Sequence, residues 1–548
     1  MRIALTGALA LLLGAVPIAA QEADQGATTP RATATSGPGH VRVTPYLELG
    51  LIADADLDRS DVLTYSSAAA GVDVAVSGGR TTGQASYRYE RRIALDNRAG
   101  DADVHSGLAR ITTRLGRGLV LEAGGIATRT RADIRGAAPG VPIGDEANIS
   151  QVYAVYGGPT YTTHAGPIAI GASYQAAYTK VGVPGGIVLA AGQSRRDRYD
   201  DSFGQTAGVT AATAPGTLLP IGLTASAGYD REDAGQLDGR FEGFHARGEM
   251  LAPVSMTVAL TAGIGYERIQ TSQRDAIRDA SGAPVVDAGG RFVTDDASPR
   301  RITYRTDGLY YDAGVVWRPD HRTSVAGKIG RRYGSISYTG TISYQASARI
   351  GVAADVYDSV TTFGQQLRGG LNNVPTNFVA ARDSFTQQYN GCVYGTTGAS
   401  PGGCLNSVFQ SITTASYRAR GADAVLSATY GRTTVGGALG YANRELYAAQ
   451  AVAGTTVTGA DDQSYYAQLF YRRALSRVSA LDTTLFVNYY EAGSAGADGV
   501  WSYGGTASYS HAFGRLTTIA SAGVYGFDLV AVPTQWSAQA LLAARYSF

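Results

Sequence analysis

The C-terminal stretch, residues 535–548, alternates between two kinds of side chain. The apolar parity holds Trp536, Ala538, Ala540, Leu542, Ala544, Tyr546 and Phe548, whereas the other holds Gln535, Ser537, Gln539, Arg545 and Ser547, with Leu541 and Ala543 as exceptions. A period of two indicates a strand with one apolar face. Its aromatic ends lie about ten residues apart, the length of a tilted strand that crosses a bilayer. A strand in lipid must belong to a closed barrel, because its backbone groups need partners.

The rest of the chain repeats this pattern. From Val41 onward, segments of about ten to sixteen residues are separated alternately by tight turns and by longer polar loops, as in outer-membrane barrels. We predict tight turns at residues 78–80, 116–118 and 319–321, and long loops on the other side at residues 133–149, 183–197, 271–299 and 364–421. We predict an all-β transmembrane antiparallel β-barrel of about 22 strands (range about 20 to 24), closed by pairing of residues 41–52 with the last strand.

Composition agrees with a membrane barrel. The 548 residues include 34 Tyr but 13 Phe, and tyrosine suits a water boundary because its ring is apolar and its tip polar. Hydrophobic residues at 44% and charged residues at 17% argue against both a disordered chain and a helical membrane bundle. A net charge of +1 gives no reason to expect a nucleic-acid partner.

The N-terminus indicates export. Residues 1–20 combine Arg2, an apolar run and the small residues Ala19 and Ala20, which predicts a signal peptide. Residues 21–40 have no periodicity, so we expect a disordered periplasmic leader, too short for an N-terminal plug domain. The barrel is predicted over 41–548, with a long loop insertion at 364–421. We expect localisation to the outer membrane of a Gram-negative bacterium.

Cys392 and Cys404 are the only cysteines, and both lie in the longest predicted loop. A disulfide is expected in an oxidising compartment, with free thiols or metal ligation as alternatives. We expect the bond to stiffen an exposed lobe, although the insertion could instead fold inward as a constriction.

Charged residues on the polar parity of the strands are candidates for the lumen wall: Arg88, Glu90, Arg110, Arg114, Glu122, Lys328, Arg349, Asp355 and Arg472. Two interpretations stay open. These residues either select solutes or form ion pairs that brace a polar interior.

Other motifs are incomplete. Asp54, Asp56 and Asp58 have the spacing of the first EF-hand ligands, but Arg59 and Tyr65 occupy the positions of the turn glycine and the last ligand, so a solvated loop with at most weak ion contact is expected. Residues 398–402 match G-x-S-x-G, yet Pro401 and Gly402 cannot start the required helix. The six histidines are scattered. We therefore expect no cofactor, no bound metal and no enzyme activity.

Two resemblances to known families follow from longer stretches. GRRYGSISYTGTISYQASARIGVAADVYDSVTTFG (330–364) and GADAVLSATYGRTTVGGALGYANREL (421–446) resemble EpsL-like outer-membrane barrels of exopolysaccharide and PEP-CTERM systems. VTPYLELG, DVLTYSSAAAGVDV, SYRYERRIA and DVHSGLAR are similar to sphingomonad proteins labelled preprotein translocase subunit YajC, a label that fits poorly because true YajC has one spanning helix. The EpsL-like resemblance implies a step in making, exporting or anchoring polysaccharide.

The chain end also resembles the C-terminal signal that the barrel-assembly machinery recognises, with Tyr546 and Phe548 as its aromatic residues. Expected partners are thus that machinery, outer-membrane lipid and lipopolysaccharide, and polysaccharide.

Three functions are compatible with these features. The leading hypothesis is a porin-like passive pore or export conduit for exopolysaccharide or small solutes. The second is a non-conducting surface barrel that uses its extracellular loops for adhesion or assembly. The third, which the motifs favour least, is a barrel enzyme acting on lipid.

Overall fold

A computed structural model describes residues 40–58, 61–95, 101–132, 148–182, 197–380, 383, 385, 388–389, 391–410, 412–447, 461–493, 499–529 and 534–548. The predicted signal peptide and nearly all of the leader lie outside these residues. No helix in the described part of the chain is long and apolar enough to cross a membrane.

Twenty-two strands form one antiparallel sheet. The first fifteen are β1 (His40–Asp56), β2 (Asp61–Ser77), β3 (Thr81–Ala94), β4 (Ala102–Arg114), β5 (Leu119–Arg131), β6 (Ile149–Ala165), β7 (Ile168–Val181), β8 (Asp201–Thr213), β9 (Gly222–Ala234), β10 (Gly239–Pro253), β11 (Val258–Gln273), β12 (Arg301–Trp317), β13 (Thr323–Arg332), β14 (Ser335–Ser347) and β15 (Ile350–Thr361).

The connection after β15 contains two helices, α1 (Phe363–Asn372) and α2 (Asn406–Phe409), and the three short strands β16 (Phe378–Ala380), β17 (Cys392–Thr397) and β18 (Ser400–Cys404). These three strands form a separate small sheet. The main sheet resumes with β19 (Ser416–Tyr430), β20 (Thr433–Tyr447), β21 (Asp461–Ala474), β22 (Ser479–Glu491), β23 (Val500–Phe513), β24 (Leu516–Leu529) and β25 (Gln535–Ser547).

The sheet closes on itself because β25 pairs with β1, from Tyr46 opposite Ser547 to Asp56 opposite Ser537. Closure removes both sheet edges, so every strand has a neighbour on each side. The predicted fold class and the strand number are confirmed.

The outer surface of the barrel is apolar. On β25, Trp536, Leu542 and Tyr546 are 38–66% exposed, as the alternation of this strand predicts. Aromatic side chains form a row near one end, where Tyr441, Tyr465, Tyr489 and Trp501 follow one another at centroid distances of 4.6–6.1 Å. At about 3.3 Å per residue and a tilt of about 40°, Trp536 and Tyr546 lie roughly 25 Å apart along the barrel axis, the height of an outer-membrane apolar band. The fold therefore places the chain in the outer membrane of a Gram-negative bacterium.

The longest connections all leave from one end of the barrel. Both chain ends of the barrel and the turns at 78–80, 115–118, 348–349 and 431–432 lie at one end, which is periplasmic by the usual arrangement. The longer connections, including 274–300 and 362–415, leave from the extracellular end.

Candidate functional site

The extracellular connection 362–415, called the plug below, folds into the barrel. Its helix α1 contacts β5, β6, β7 and β8, whereas β17 and β18 contact β19 and β18 also contacts β15. Because these two groups of strands lie on different sides of the ring, the plug crosses the lumen. The expectation of an exposed lobe is wrong, and the inward alternative holds. The insertion is also shorter than 364–421, since β19 starts at Ser416.

Helix α1 is held by an apolar patch on the inner wall. Thr362 caps the helix by accepting a hydrogen bond from the Gln365 backbone N–H. Phe363 and Leu367, both fully buried, pack in one cluster with inward-facing Val152 and Tyr156 of β6. Burial of two such side chains contributes about 1.5–3 kcal/mol each. The helix is therefore docked by hydrophobic contact rather than suspended in water.

Polar wall residues clamp the chain that follows α1. The Arg110 guanidinium donates to the carbonyl oxygens of Asn372 and Val374, and also pairs with Glu122 at 2.6 Å. The Asn372 amide donates to Gln175 at 3.0 Å. The wall therefore binds plug backbone and side chain from both β4 and β7.

The β17–β18 hairpin carries the disulfide between Cys392 and Cys404. Its turn reaches the periplasmic end, where Gly398 N–H donates to the carbonyl of Ala348 in the β14–β15 turn. Both sulfur-bearing residues are buried. The plug thus extends from the extracellular rim, where it leaves β15, to the periplasmic turns.

Another side of the lumen receives Phe385. This ring packs with Ile52, Tyr65, Tyr525 and Leu541 of the wall. Its carbonyl accepts a 2.9 Å hydrogen bond from Arg92.

Arg92 ends a row of alternating charges. Arg545 contacts Glu48 at 2.7 Å, Glu48 contacts Arg88 at 2.8 Å, and Arg88 and Arg92 both contact Glu90. The row begins at the closing strand β25 and ends at the plug. It therefore connects the barrel seam with the plug.

A second charged group lies on β10, β12 and β13. Arg247 donates to Asp312 at 2.8 Å and to Glu249 at 2.8 Å, and Lys328 pairs with Glu249. These four side chains are 12–15% exposed, so they border accessible space. Three inward-facing hydroxyl residues lie on neighbouring β14: Thr339 and Thr341 are partly exposed, and Ser343 is exposed. This part of the wall is polar, with its charges balanced in pairs.

Eight predicted lumen residues lie on the inward parity of their strands: Arg88, Glu90, Arg110, Arg114, Glu122, Lys328, Asp355 and Arg472. Arg349 does not, because β15 begins one residue later and Arg349 occupies the exposed periplasmic turn. Ion pairs brace several of them, as in Arg110 with Glu122 at 2.6 Å. Selection of solutes stays a hypothesis.

Above the barrel, Asp197 joins the plug to three extracellular loops. Its carboxylate accepts from Phe292 N–H at 2.9 Å, Gln236 at 3.1 Å and the Thr414 hydroxyl at 3.3 Å. Burial raises the pKa of Asp197 to about 7, against the lowering effect of these hydrogen bonds. The stem of the plug therefore shares a titratable contact with the loops.

The sequence prediction missed the wall residues that receive the plug, although a signal exists. Val152, Ala154, Tyr156, Leu541 and Ala543 are apolar on the parity that should face water. Apolar residues at inward-facing positions therefore indicate the parts of the wall against which apolar side chains of the plug pack.

The EF-hand-like aspartates and the G-x-S-x-G match do not form the sites that their patterns would suggest. Among the described residues, no three His, Cys, Asp or Glu side chains are grouped to hold a metal ion. Asp58 instead accepts from the Trp536 backbone N–H at 2.6 Å. Residues 398–402 form the turn of the β17–β18 hairpin and the beginning of β18, so no helix follows the serine as a nucleophile elbow requires.

No family model and no curated protein matches the chain. Solved structures with a similar barrel include the siderophore receptor PirA from Acinetobacter baumannii, at 8% identity and a TM-score of 0.38 over 92% of this chain and 80% of that one. The ferric-catecholate import receptor Fiu from E. coli K12, open form, has 11% identity and a TM-score of 0.42 over 91% and 81%. The FrpB iron transporter from Neisseria meningitidis, apoprotein form, has 10% identity and a TM-score of 0.42 over 92% of this chain and 81% of that one. At these values the likeness adds nothing to what the sheet itself shows.

The fold and the site together define a class, that of outer-membrane β-barrels whose lumen is occupied by one of their own extracellular connections.

Proposed function

We propose that this protein is a gated transport conduit of the outer membrane, closed at rest by the plug. One observation carries the proposal: the plug runs from the extracellular rim to the periplasmic turns and is bonded to the wall on several sides of the lumen. A barrel of about 22 strands is wide enough to conduct unless it is filled. A gated conduit is therefore better supported than a permanently open pore.

The proposed cargo is an uncharged, hydroxyl-rich solute, with exopolysaccharide as the candidate that the EpsL-like resemblance suggests. The charges of Arg247, Glu249, Asp312 and Lys328 balance one another, so this group of four carries no net charge. The hydroxyl groups of β14 offer hydrogen bonds to such a solute.

Planar-bilayer conductance tests the proposal. Three proteins are compared: the full chain, a variant with residues 364–414 replaced by a short Gly/Ser linker, and a control that shortens loop 279–290, which lies outside the lumen. We expect low conductance for the full chain and the control, and ohmic steps at least tenfold larger for the plug deletion. Equal conductance of the full chain and the plug deletion would overturn the gate.

A non-conducting surface barrel is the second candidate, and one loop favours it. Residues 274–300 form an ordered ladder above the barrel, with bridges between Ala276 and Thr294, Arg278 and Pro284, and Val286 and Phe292. An ordered loop can present a binding surface at low entropic cost. Silence of a correctly folded plug deletion in the bilayer experiment would support this function.

A further inference from the structure

A patch of charge lies on the membrane-facing surface of β9–β12. It consists of Arg231, Asp233, Arg240, Glu242, Arg268, Arg305 and Asp307, called the rim patch below. Cross-strand pairing places Arg231 beside Glu242, Asp233 beside Arg240 and Arg268 beside Asp307. Four cations and three anions therefore alternate across four adjoining strands.

Alternation shows that the rim patch faces outward. Tyr229, Phe244, Tyr266 and Leu309 share its parity on the same four strands and are exposed to 43%, 45%, 39% and 73%. The charged residues follow these four toward the extracellular end of each strand. The rim patch thus begins directly above a lipid-facing row of large side chains, at the level of the outer-leaflet headgroups.

The charges pair with one another but stay accessible. Asp233 contacts both Arg231 and Arg240 at 2.7 Å, and Arg305 contacts Asp307 at 3.3 Å. Side-chain exposure of these five residues is 34–50%. Exposed pairs of this kind contribute only about 0–1 kcal/mol to stability. Stability alone therefore gives little reason for so many charges at the boundary of the lipid.

Headgroup chemistry supplies a partner for both signs. A guanidinium binds phosphate or carboxylate oxygens through a planar pair of N–H donors. Carboxylates such as Glu242 and Asp307 can share a divalent cation with an anionic headgroup, because Mg²⁺ and Ca²⁺ prefer oxygen ligands. We propose that the rim patch binds the anionic headgroup of an outer-leaflet glycolipid, through a phosphate or a carboxylate group. This site is independent of whether the lumen conducts.

Lipid binding to the purified full-length protein tests the proposal. Native mass spectrometry is run with bisphosphorylated lipid A, with dephosphorylated lipid A and with a glucuronate-bearing glycolipid, each with Mg²⁺ or with EDTA. We expect binding of at least one anionic lipid at least tenfold tighter than that of dephosphorylated lipid A, weakened by EDTA. The two anionic lipids distinguish a phosphate from a carboxylate source.

Paired variants locate the site. Arg231→Gln with Arg268→Gln should weaken anionic lipid binding at least tenfold, and Arg240→Gln with Arg305→Gln should do the same. Arg91→Gln is the matched control, because Arg91 on β3 is 41% exposed and pairs with Asp101 and Asp103. Equal binding of charged and dephosphorylated lipid, or an equal loss with Arg91→Gln, would overturn the proposal. Heat-modifiable gel migration shows which variants are folded. One folded double variant is enough to test the proposal.

Discussion

Tyr394 of the plug lies against the barrel wall where β20 has no side chain. A Cβ atom built at Gly436 would lie 2.6 Å from ring atoms of Tyr394, whereas one built at neighbouring Gly437, on the lipid-facing side, meets only Leu469 at 3.5 Å. The close approach of ring and backbone therefore requires glycine at position 436.

Gly436→Val should displace the β17–β18 hairpin, because a new side chain occupies the place of the Tyr394 ring. Overpacking of this kind costs about 1–3 kcal/mol. We expect bilayer conductance to rise severalfold over that of the unmodified protein. Gly437→Val is the matched control and should conduct like the unmodified protein; equal behaviour of the two variants would contradict the assignment.

The contact at Asp197 predicts a dependence on pH. In the folded protein the pKa of Asp197 is raised from the usual 3.8 to about 7, so the folded state binds the proton more tightly than the unfolded state. The protonated carboxyl group therefore stabilises the folded state fully below about pH 4, and this stabilisation is lost as the pH rises through 7. Amide exchange at Phe292 should be roughly tenfold or more slower at pH 5 than at pH 8, after correction for intrinsic rates. Asp197→Asn should remove this difference. Equal corrected exchange of the unmodified protein at both pH values would refute the prediction.

At the scale of the element, the final strand shows how far the sequence leads. Its outward face, from Trp536 to Tyr546, follows from alternation alone, because lipid accepts only apolar side chains there. The exceptions Leu541 and Ala543 have no local explanation. Their partner, Phe385, lies far away in the sequence, and nothing local specifies that contact.

The inward position of the plug was also not predictable from local sequence, because its partners lie far away in the chain. A polar loop with Gly and Pro is compatible with either side of the rim. The inward fold is decided by residues far apart in the sequence, as where Phe363 joins one buried cluster with Tyr156. Strand number and wall parity were accessible because each strand carries its own pattern. Arg349 was misassigned because turn boundaries carry little pattern.

The disulfide between Cys392 and Cys404 links the two strands of the β17–β18 hairpin in the plug. Cys392→Ser with Cys404→Ser should reduce local stability by about 3 kcal/mol in the chain-entropy model, so amide exchange at Val393 and Tyr394 should accelerate roughly 100-fold. Reductant added to the folded, unmodified protein should change little, since both cysteines are buried. Unchanged exchange in the double variant would show that the wall contacts alone hold the hairpin.

At the scale of the whole molecule, the barrel seam depends on a buried carboxylate. Glu48 of β1 contacts Arg545 of β25 and Arg88 of β3, and all three side chains face the lumen. Loss of one partner from such a buried group costs about 3–5 kcal/mol, because uncompensated charges remain.

Glu48→Leu should therefore lower the temperature at which the folded barrel converts to its slow-migrating form on gels. Arg472→Met is the control, since its pair with Asp482 is 51% and 36% exposed and contributes little. A conversion temperature that falls equally in both variants would exclude a special role for the seam.

The chain end supplies a second test of assembly. Phe548 N–H donates to the Pro45 carbonyl at 3.0 Å, and its ring meets Tyr546 at 5.1 Å. Deletion of Phe548 should reduce the amount of heat-modifiable protein in the outer membrane. Addition of one Ser after Phe548 tests whether the terminal position itself matters, and normal levels of the truncated protein would argue against an assembly signal.

Both ends of the plug continue directly into barrel strands, at Thr361 and at Ser416. The plug is therefore a ligand tethered twice to its own receptor, and its effective concentration at the wall stays high after any contact breaks. After each dissociation from the wall, the plug therefore rebinds quickly. We expect unassisted openings to be brief, so sustained passage requires a cargo that occupies the vacated wall faster than the plug returns.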